Sequence, residues 1–288
     1  MAFDIEKMNK LPREARFFDV NGLWYFYNGW MVRMLYSTPI TPNQITVLSF
    51  FVGLLSMGFY VSGRSDSLVW GAIFLYGKVL LDNIDGNLAR VRGTSSRFGR
   101  FLDSLTDFIV TVMIYIGISF YLVRTTEDSG FWFLGLFGLL TCFIQSTFFV
   151  FYLVSYTSRV GSYDKNRVDE SITEEDQSSA EENGWSLRLQ KIFAWIYGWQ
   201  DRLVERLDFI SRKLAGVSER EKTAWYGDRC FLTAISPLCL CTNNVMLVFF
   251  SLLGQVELFL ILLISVMNLY GVGLLIWKIQ KWKTKNAI

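Results

Sequence analysis

The sequence predicts an all-α integral membrane protein: six transmembrane helices, an N-terminal interfacial amphipathic helix and a cytoplasmic helical insert. Three observations carry that expectation. Of 288 residues, 52% are hydrophobic and 17% aromatic, only four are proline, and the charges fall between long apolar segments. Six segments of the roughly 20 apolar residues that a bilayer core requires lie near 44–62, 68–88, 101–123, 131–156, 230–253 and 256–277. Lys and Arg, finally, crowd one side: Arg64 and Arg124 are the only basic residues in the loops after the first and third segments, and the GQVE turn after the fifth has none. The opposite side carries Lys7, Lys10, Arg13, Arg16, Arg33, Arg90, Arg92, Arg97, Arg100, much of 159–229 and the Lys-rich C-terminus, so both termini should be cytoplasmic.

Taken in order, residues 1–42 form a cytoplasmic N-terminus and interfacial helix. The start, MAFDIEKMNKLPREAR, is too polar for a cleavable signal peptide, and FDVNGLWYFYNGWMVRMLYS (18–37) interleaves aromatics with Arg33 as an interfacial helix does. Residues 43–158 hold the first four spans, with Thr41 placed as N-cap and Pro42 in the first turn. Residues 159–228 are a cytoplasmic insert, comprising the acidic DESITEEDQSSAEEN loop and an amphipathic helix over Trp185–Leu214. There Leu189, Ile192, Phe193, Ile196, Trp199, Leu203, Leu207, Ile210 and Leu214 recur at steps of three and four, which suits a membrane surface or a partner copy. Residues 229–288 carry the last two spans and a basic tail.

A formal net charge of +2 gives no reason to expect nucleic acid as a partner, since the one-sided basic residues are explained by topology. The chain has no histidine, and Cys142, Cys230, Cys239 and Cys241 lie in or beside apolar segments without a pairing pattern. Metal or acid–base chemistry must then run on carboxylates.

The carboxylates occur where they cost most. DNIDGNLARVRGTSSRFGRFLDSLTD, Asp82–Asp107, joins two apolar segments and contains four aspartates. In helices, Asp82 and Asp85, three apart, share one face, as do Asp103 and Asp107, four apart, and both pairs fall at the cytoplasmic boundary. Gly86, Ala89 and Gly99 leave room for close helix approach or a ligand. A lone aspartate here would cap a helix or neutralise an arginine. Four at these spacings point to function, suiting hard divalent cations such as Mg²⁺ or Mn²⁺ in a two-metal site that stabilises phosphoryl displacement. Arg90, Arg92, Arg97 and Arg100 add positive charge where a phosphate would lie. Lys78, one turn before Asp82, balances the cluster, touches a phosphate, or simply snorkels.

The stretch resembles the CDP-alcohol phosphotransferase (CDP-alcohol phosphatidyltransferase) signature, D-x2-D-G-x2-A-R-x8-G-x3-D-x3-D. Every fixed position matches, at Asp82, Asp85, Gly86, Ala89, Arg90, Gly99, Asp103 and Asp107, and TPNQIT (41–46) looks like the family's stretch at the start of the first helix. The resemblance implies a transferase of phospholipid biosynthesis that moves a phosphate-bearing group from a CDP-linked donor, foremost CDP-diacylglycerol, to an alcohol hydroxyl and releases CMP. It implies metal ligation by Asp82, Asp85, Asp103 and Asp107, with Asp107 also the catalytic base. It further implies CDP contacts from Pro42, Asn43, Thr46, Gly86, Ala89, Arg90 and Ser96, and a homodimer. Arg159 and Arg229, at the same membrane boundary, are candidates for clamping a phosphate on the acceptor, whereas Phe108 stands where inositol-phosphate members often have Arg. Two alternatives stay open: transfer of a CDP-amino-alcohol of choline or ethanolamine type to a lipid alcohol, and divalent cation transport through the same carboxylates. The expected location is the cytoplasmic face of a bacterial or archaeal inner membrane, or of the endoplasmic reticulum.

Overall fold

The computed structural model describes residues 3–9, 11–64, 66–160 and 184–286; the acidic run of the insert, 169–183, lies outside them. All regular elements among the described residues are helical. Short 3₁₀ turns at Ile5–Met8, Arg13–Ala15 and Val20–Tyr25 precede α1 (Asn28–Tyr36), which is followed by α2 (Pro42–Ser62), α3 (Ser67–Arg92), α4 (Arg97–Thr126) and α5 (Phe131–Val160). After the insert helix α6 (Gly184–Ala215) come α7 (Lys222–Tyr226), α8 (Arg229–Ile235), α9 (Leu240–Leu252), α10 (Val256–Ile264) and α11 (Val266–Asn286). The protein is an integral membrane protein. Helices α2, α3, α4 and α5, together with α10–α11, are each long and apolar enough to cross a bilayer.

The fifth expected segment, 230–253, is not one straight helix. It is α8, continued by a 3₁₀ turn over Ser236–Leu238, and then α9, with a 42° bend at Cys239 between them. Pro237 supplies no backbone N–H, so α8 stops at Ile235 and the chain passes through extended Cys239 before helix resumes. The interfacial stretch 18–37 likewise divides, into the 3₁₀ turn and α1.

Local chemistry sets the ends of the site-bearing helices. Thr41 and Gln44 form a reciprocal capping box, with Thr41 Oγ1 accepting from Gln44 N and Gln44 Oε1 accepting from Thr41 N, and Pro42 fills the first turn of α2. Gly93, at φ 68°, terminates α3 in the left-handed region. Ser96 Oγ then accepts from Gly99 N at 3.0 Å to start α4. Because only four residues separate α3 from α4, the two run antiparallel and bring their aspartate turns to the same end of the bundle.

Without water to expel between spans, close packing holds them. A Cβ on Gly71 would lie 2.9 Å from the Tyr60 ring and one on Gly53 2.5 Å from Val110, so α3 and α4 approach α2 at these points. Buried Tyr60, Leu75, Ile114, Ile118, Phe259 and Leu260 form the core there. A second core joins α5, α6, α8 and α11 through Tyr152, Val204, Phe231 and Trp282.

Helix α6 packs on the bundle through its more polar face. Of the stripe read from the sequence, Ile192, Trp199, Leu203, Leu207, Ile210 and Leu214 are exposed, joined by Trp195 at 81% exposure. The bundle instead receives Gln190, Ile196, Gln200, Val204, Asp208, Ser211 and Ala215. Paired polar groups explain the choice: Thr147 Oγ1 donates to Gln200 Oε1 at 2.7 Å, and Asp208 accepts from Tyr152 Oη, Trp225 Nε1, Tyr226 Oη and Arg212 Nε at 2.5–3.0 Å. Since Asp208 is only 1% exposed, removing it strands three buried donors and a guanidinium. Asp208→Ala should cost about 3–5 kcal/mol, read as a lowered thermal-unfolding midpoint in detergent, with a smaller loss for Asp208→Asn.

Candidate functional site

At the basic end of the bundle, the antiparallel pairing of α3 and α4 brings three aspartates together. One carboxylate oxygen from each of Asp82, Asp103 and Asp107 lies within 4.8 Å of the other two. Lys78 Nζ donates to Asp82 Oδ1 at 3.0 Å and to Asp107 Oδ1, bridging the two helices. Asp103 Oδ1 is buried without a hydrogen-bond partner. Asp85 turns away to α2, where its Oδ2 accepts from Thr46 Oγ1 at 2.5 Å.

Three converging carboxylates, one of which also holds a buried, unsatisfied oxygen, fit a hard divalent cation. Soft or borderline transition metals would call for imidazole or thiolate ligands, and the set is carboxylate only. The residues present therefore fit Mg²⁺ or Mn²⁺.

Beside the cluster opens a cavity of about 390 Å³. Pro42, Asn43 and Thr46 from the start of α2, Gly86, Ala89 and Arg90 from α3, and Ser96 from the α3–α4 turn all line it, and Asp85 and Asp103 contribute to the same wall. Glycine at 86 adds no side chain to the cavity wall, and a Cβ there would only touch the Arg90 guanidinium, at 3.4 Å. Thr94, Ser95, Gly99 and Arg100 add small or polar groups, so hydroxyls and cations face the cavity from several sides.

The arginines divide in role. Arg90 Nε donates to Met8 C=O at 2.8 Å and Nη2 to Asn87 Oδ1 at 2.5 Å, which ties the N-terminal 3₁₀ turn to the cavity rim. Arg92 donates to the carbonyls of Leu35, Tyr36, Thr38 and Ile40, and so holds the α1–α2 connection that leads into Thr41, Pro42 and Asn43. Arg97 and Arg100 both lie over the Phe101 ring, at 5.6 and 4.8 Å.

Arg159 and Arg229 do not line this cavity. Arg159, at the end of α5, donates to Thr223 Oγ1 at 2.8 Å and covers the Tyr226 ring at 4.7 Å. Arg229 lines a second cavity of about 360 Å³ with Trp225, Asp228, Lys278, Lys281, Trp282 and Lys285. Lys281 Nζ pairs there with Asp228 Oδ2 at 2.7 Å; that bond, set against partial burial, leaves the Asp228 carboxyl below its ordinary range.

One neighbour of the acidic turn escaped the sequence reading. Tyr197 of α6 donates from Oη to Ser104 C=O at 2.9 Å, between Asp103 and Asp107, with its ring against Phe108 and Phe193. Burial, then the charges of Asp107 and Asp103, hold its phenol above the ordinary tyrosine range. No spacing rule could have found it, since the insert returns to α4 from about ninety residues away.

Residues 39–168 match the family model described as CDP-alcohol phosphatidyltransferase. Over 88 residues, 30% of this chain and 45% of the relative, the sequence is 41% identical to an archaetidylinositol phosphate synthase of Pyrococcus horikoshii. Over 86 residues, 27% of this chain and 35% of the relative, it is 35% identical to a CDP-diacylglycerol–serine O-phosphatidyltransferase of Helicobacter pylori. The chain thus spans less than half the length of these relatives. A solved phosphatidylinositol phosphate synthase of Mycobacterium tuberculosis with CDP-DAG bound is 18% identical, covering 77% of this chain and 93% of that one at a TM-score of 0.37, too low for an argument from shared structure.

Arg92→Ala should remove about 1–3 kcal/mol of stability by releasing four carbonyls ahead of α2. Arg92→Lys should restore only part of it, because an ammonium cannot replace the planar fork. Thermal unfolding in detergent checks both.

Proposed function

We propose that this chain, which carries a CDP-alcohol phosphatidyltransferase domain over residues 39–168, transfers a phosphate-bearing group from a CDP-linked donor to an alcohol hydroxyl and releases CMP, in phospholipid synthesis. The observation that carries the reading is the juxtaposition of the Asp82–Asp103–Asp107 cluster with a cavity whose walls include all seven residues expected to meet CDP. CDP-diacylglycerol is the donor we favour. Its headgroup would enter the cavity while its acyl chains stay among apolar helix surfaces, and a relative named CDP-diacylglycerol–serine O-phosphatidyltransferase is consistent with that donor.

In this reading Pro42, Asn43 and Thr46 bound the nucleotide from α2, and Gly86 and Ala89 allow it close to the α3 backbone. Arg90 places a fixed cation at the rim, and Ser96 offers a hydroxyl. Asp82, Asp103 and Asp107 would hold Mg²⁺ or Mn²⁺, and Asp85, which accepts from Thr46 and lines the same cavity, is the fourth carboxylate that would complete a two-metal site, where divalent ions would neutralise the diphosphate and the leaving CMP. Asp107 takes the proton from the acceptor hydroxyl. That oxygen forms its bond to the phosphorus bearing the lipid, the bond from this phosphorus to the CMP oxygen breaks, and CMP leaves with the electron pair. Lys78 and the α2–α4 packing keep Asp107 at a fixed place for that transfer.

The acceptor is an alcohol; for one that carries its own anion, the candidates remain Arg159 and Arg229, although the cavity that Arg229 lines shares no residue with the first. Arg229 with Lys278 and Lys281 would face such a group, and Arg159 is held one helix away by Thr223 and Tyr226. We place the site at the cytoplasmic face, from the distribution of Lys and Arg, and expect a homodimer from the family resemblance. Helix α6 of the insert packs on α4 and α5 beside this site through Tyr197, Gln200 and Asp208.

Transport of the cation is the weaker reading. Beyond the aspartates, α4 continues through buried Val110, Ile114, Ile118 and Leu122, and the Lys78 ammonium closes the floor of the cluster. A transport path needs polar groups across the remaining depth.

Purified protein given CDP-diacylglycerol, Mg²⁺ or Mn²⁺ and a panel of acceptor alcohols should release CMP, and chelation of the metal should stop it. Asp107→Asn should lower turnover by about 10²–10⁴-fold while retaining nucleotide binding. Undiminished turnover in that variant would remove the base assignment; absence of CMP with every donor and acceptor, from folded protein that binds Mn²⁺, would remove the transferase.

A further inference from the structure

We propose that the Lys78 ammonium is a resident cation of the carboxylate site, standing where one divalent ion would otherwise bind, so that in the absence of nucleotide the site takes a single divalent cation. The inference rests on the reading of Asp82, Asp103 and Asp107 as metal ligands.

Position excludes a snorkelling role. Lys78 lies fourteen residues before Arg92 on α3, about 21 Å along the axis at the rise of an α-helix. Its side chain is 4% exposed. Helix α2 seals the stem: a Cβ on Gly53 would come 3.3 Å from Lys78 Cγ and 2.5 Å from Val110, and Ser49 Oγ donates to Lys78 C=O at 3.1 Å. A lysine enclosed at this depth needs anionic partners. Those it has are two members of the metal cluster itself, Asp82 through Oδ1 and Asp107 through Oδ1.

The bridging oxygens are thereby committed. What is left for an ion is Asp103, which has no bond to Lys78 and lines the cavity, and whose Oδ1 is buried without a partner. Charge gives the same count. Four carboxylates with Lys78 and one divalent ion retain one net negative charge; a second divalent ion would make the enclosed site positive before any substrate arrives. An incoming diphosphate reverses that balance, so the second ion enters with the donor, and Lys78 holds the two helices together until then.

The test is Mn²⁺ titration of the purified full-length protein in detergent without nucleotide, with free Mn²⁺ read by electron paramagnetic resonance. Wild type should bind one Mn²⁺ per chain. Lys78→Met should bind two, or bind its first roughly tenfold or more tightly, whereas Lys78→Arg, which keeps the charge, should stay at one. Two Mn²⁺ on wild type overturns the proposal, as does identical binding by wild type and Lys78→Met. Where Lys78→Met does not yield folded protein, the wild-type stoichiometry alone decides. No Mn²⁺ on wild type, even with nucleotide added, overturns the metal reading on which the proposal stands, and so is told apart from a failure of the lysine assignment.

Discussion

The bridge from Lys78 to Asp82 and Asp107 is the interaction on which the rest of the molecule depends. Several carboxylates at the edge of a bilayer repel one another and lose solvation, so the fold that carries them must supply compensating charge and hydrogen bonds. Lys78 supplies the charge from inside the bundle, joining α3 to α4. Thr46 supplies the hydrogen bond to Asp85 from α2. Small residues make both contacts possible, since Gly53 lets α2 close over the lysine stem. The same three helices that satisfy the carboxylates thus also form the cavity beside them.

Around this centre the remaining elements act as braces. Arg90 holds the N-terminal turn through Met8, Tyr156 Oη holds it again at Ala15 C=O, and Ser236 Oγ accepts from Val20 N, so the first residues cross the basic end of the bundle from α3 to α8. Helix α6 approaches from the other side. Its Tyr197 meets the acidic turn of α4 at Ser104, and its Asp208 gathers α5 and α7 into one buried polar hub.

Much of this was legible in the sequence because it depends on periodicity and spacing. Apolar length marked the spans, Thr41 and Pro42 marked the start of α2, and the intervals between aspartates placed each pair on one helical face. What stayed hidden depends on contacts between distant segments. Pro237 lies in an apolar run that reads as one span, and only the backbone shows α8 ending there. On α6 the apolar stripe suited a membrane surface or a partner copy, and most of it is exposed; what the spacing did not show is that Gln200 and Asp208 find partners in the bundle on the opposite face. Arg92 lines the cavity beside Arg90, as its charge suggested, but only the structure shows that it also donates to four carbonyls of the α1–α2 connection. Arg159 and Arg229 shared a boundary in the sequence and are directed to separate surroundings in space.

The central claim is that one site unites the carboxylate cluster with the cavity beside it, ions and nucleotide in contact. A structure of the protein with a non-reactive CDP-linked donor and Mn²⁺, with anomalous scattering locating the metal, tests it directly. The account predicts manganese among Asp82, Asp103 and Asp107, and cytidine between the Pro42–Thr46 turn and Gly86–Arg90 with its diphosphate touching the metal. Manganese absent from the cluster, or a nucleotide seated outside that cavity, would contradict it.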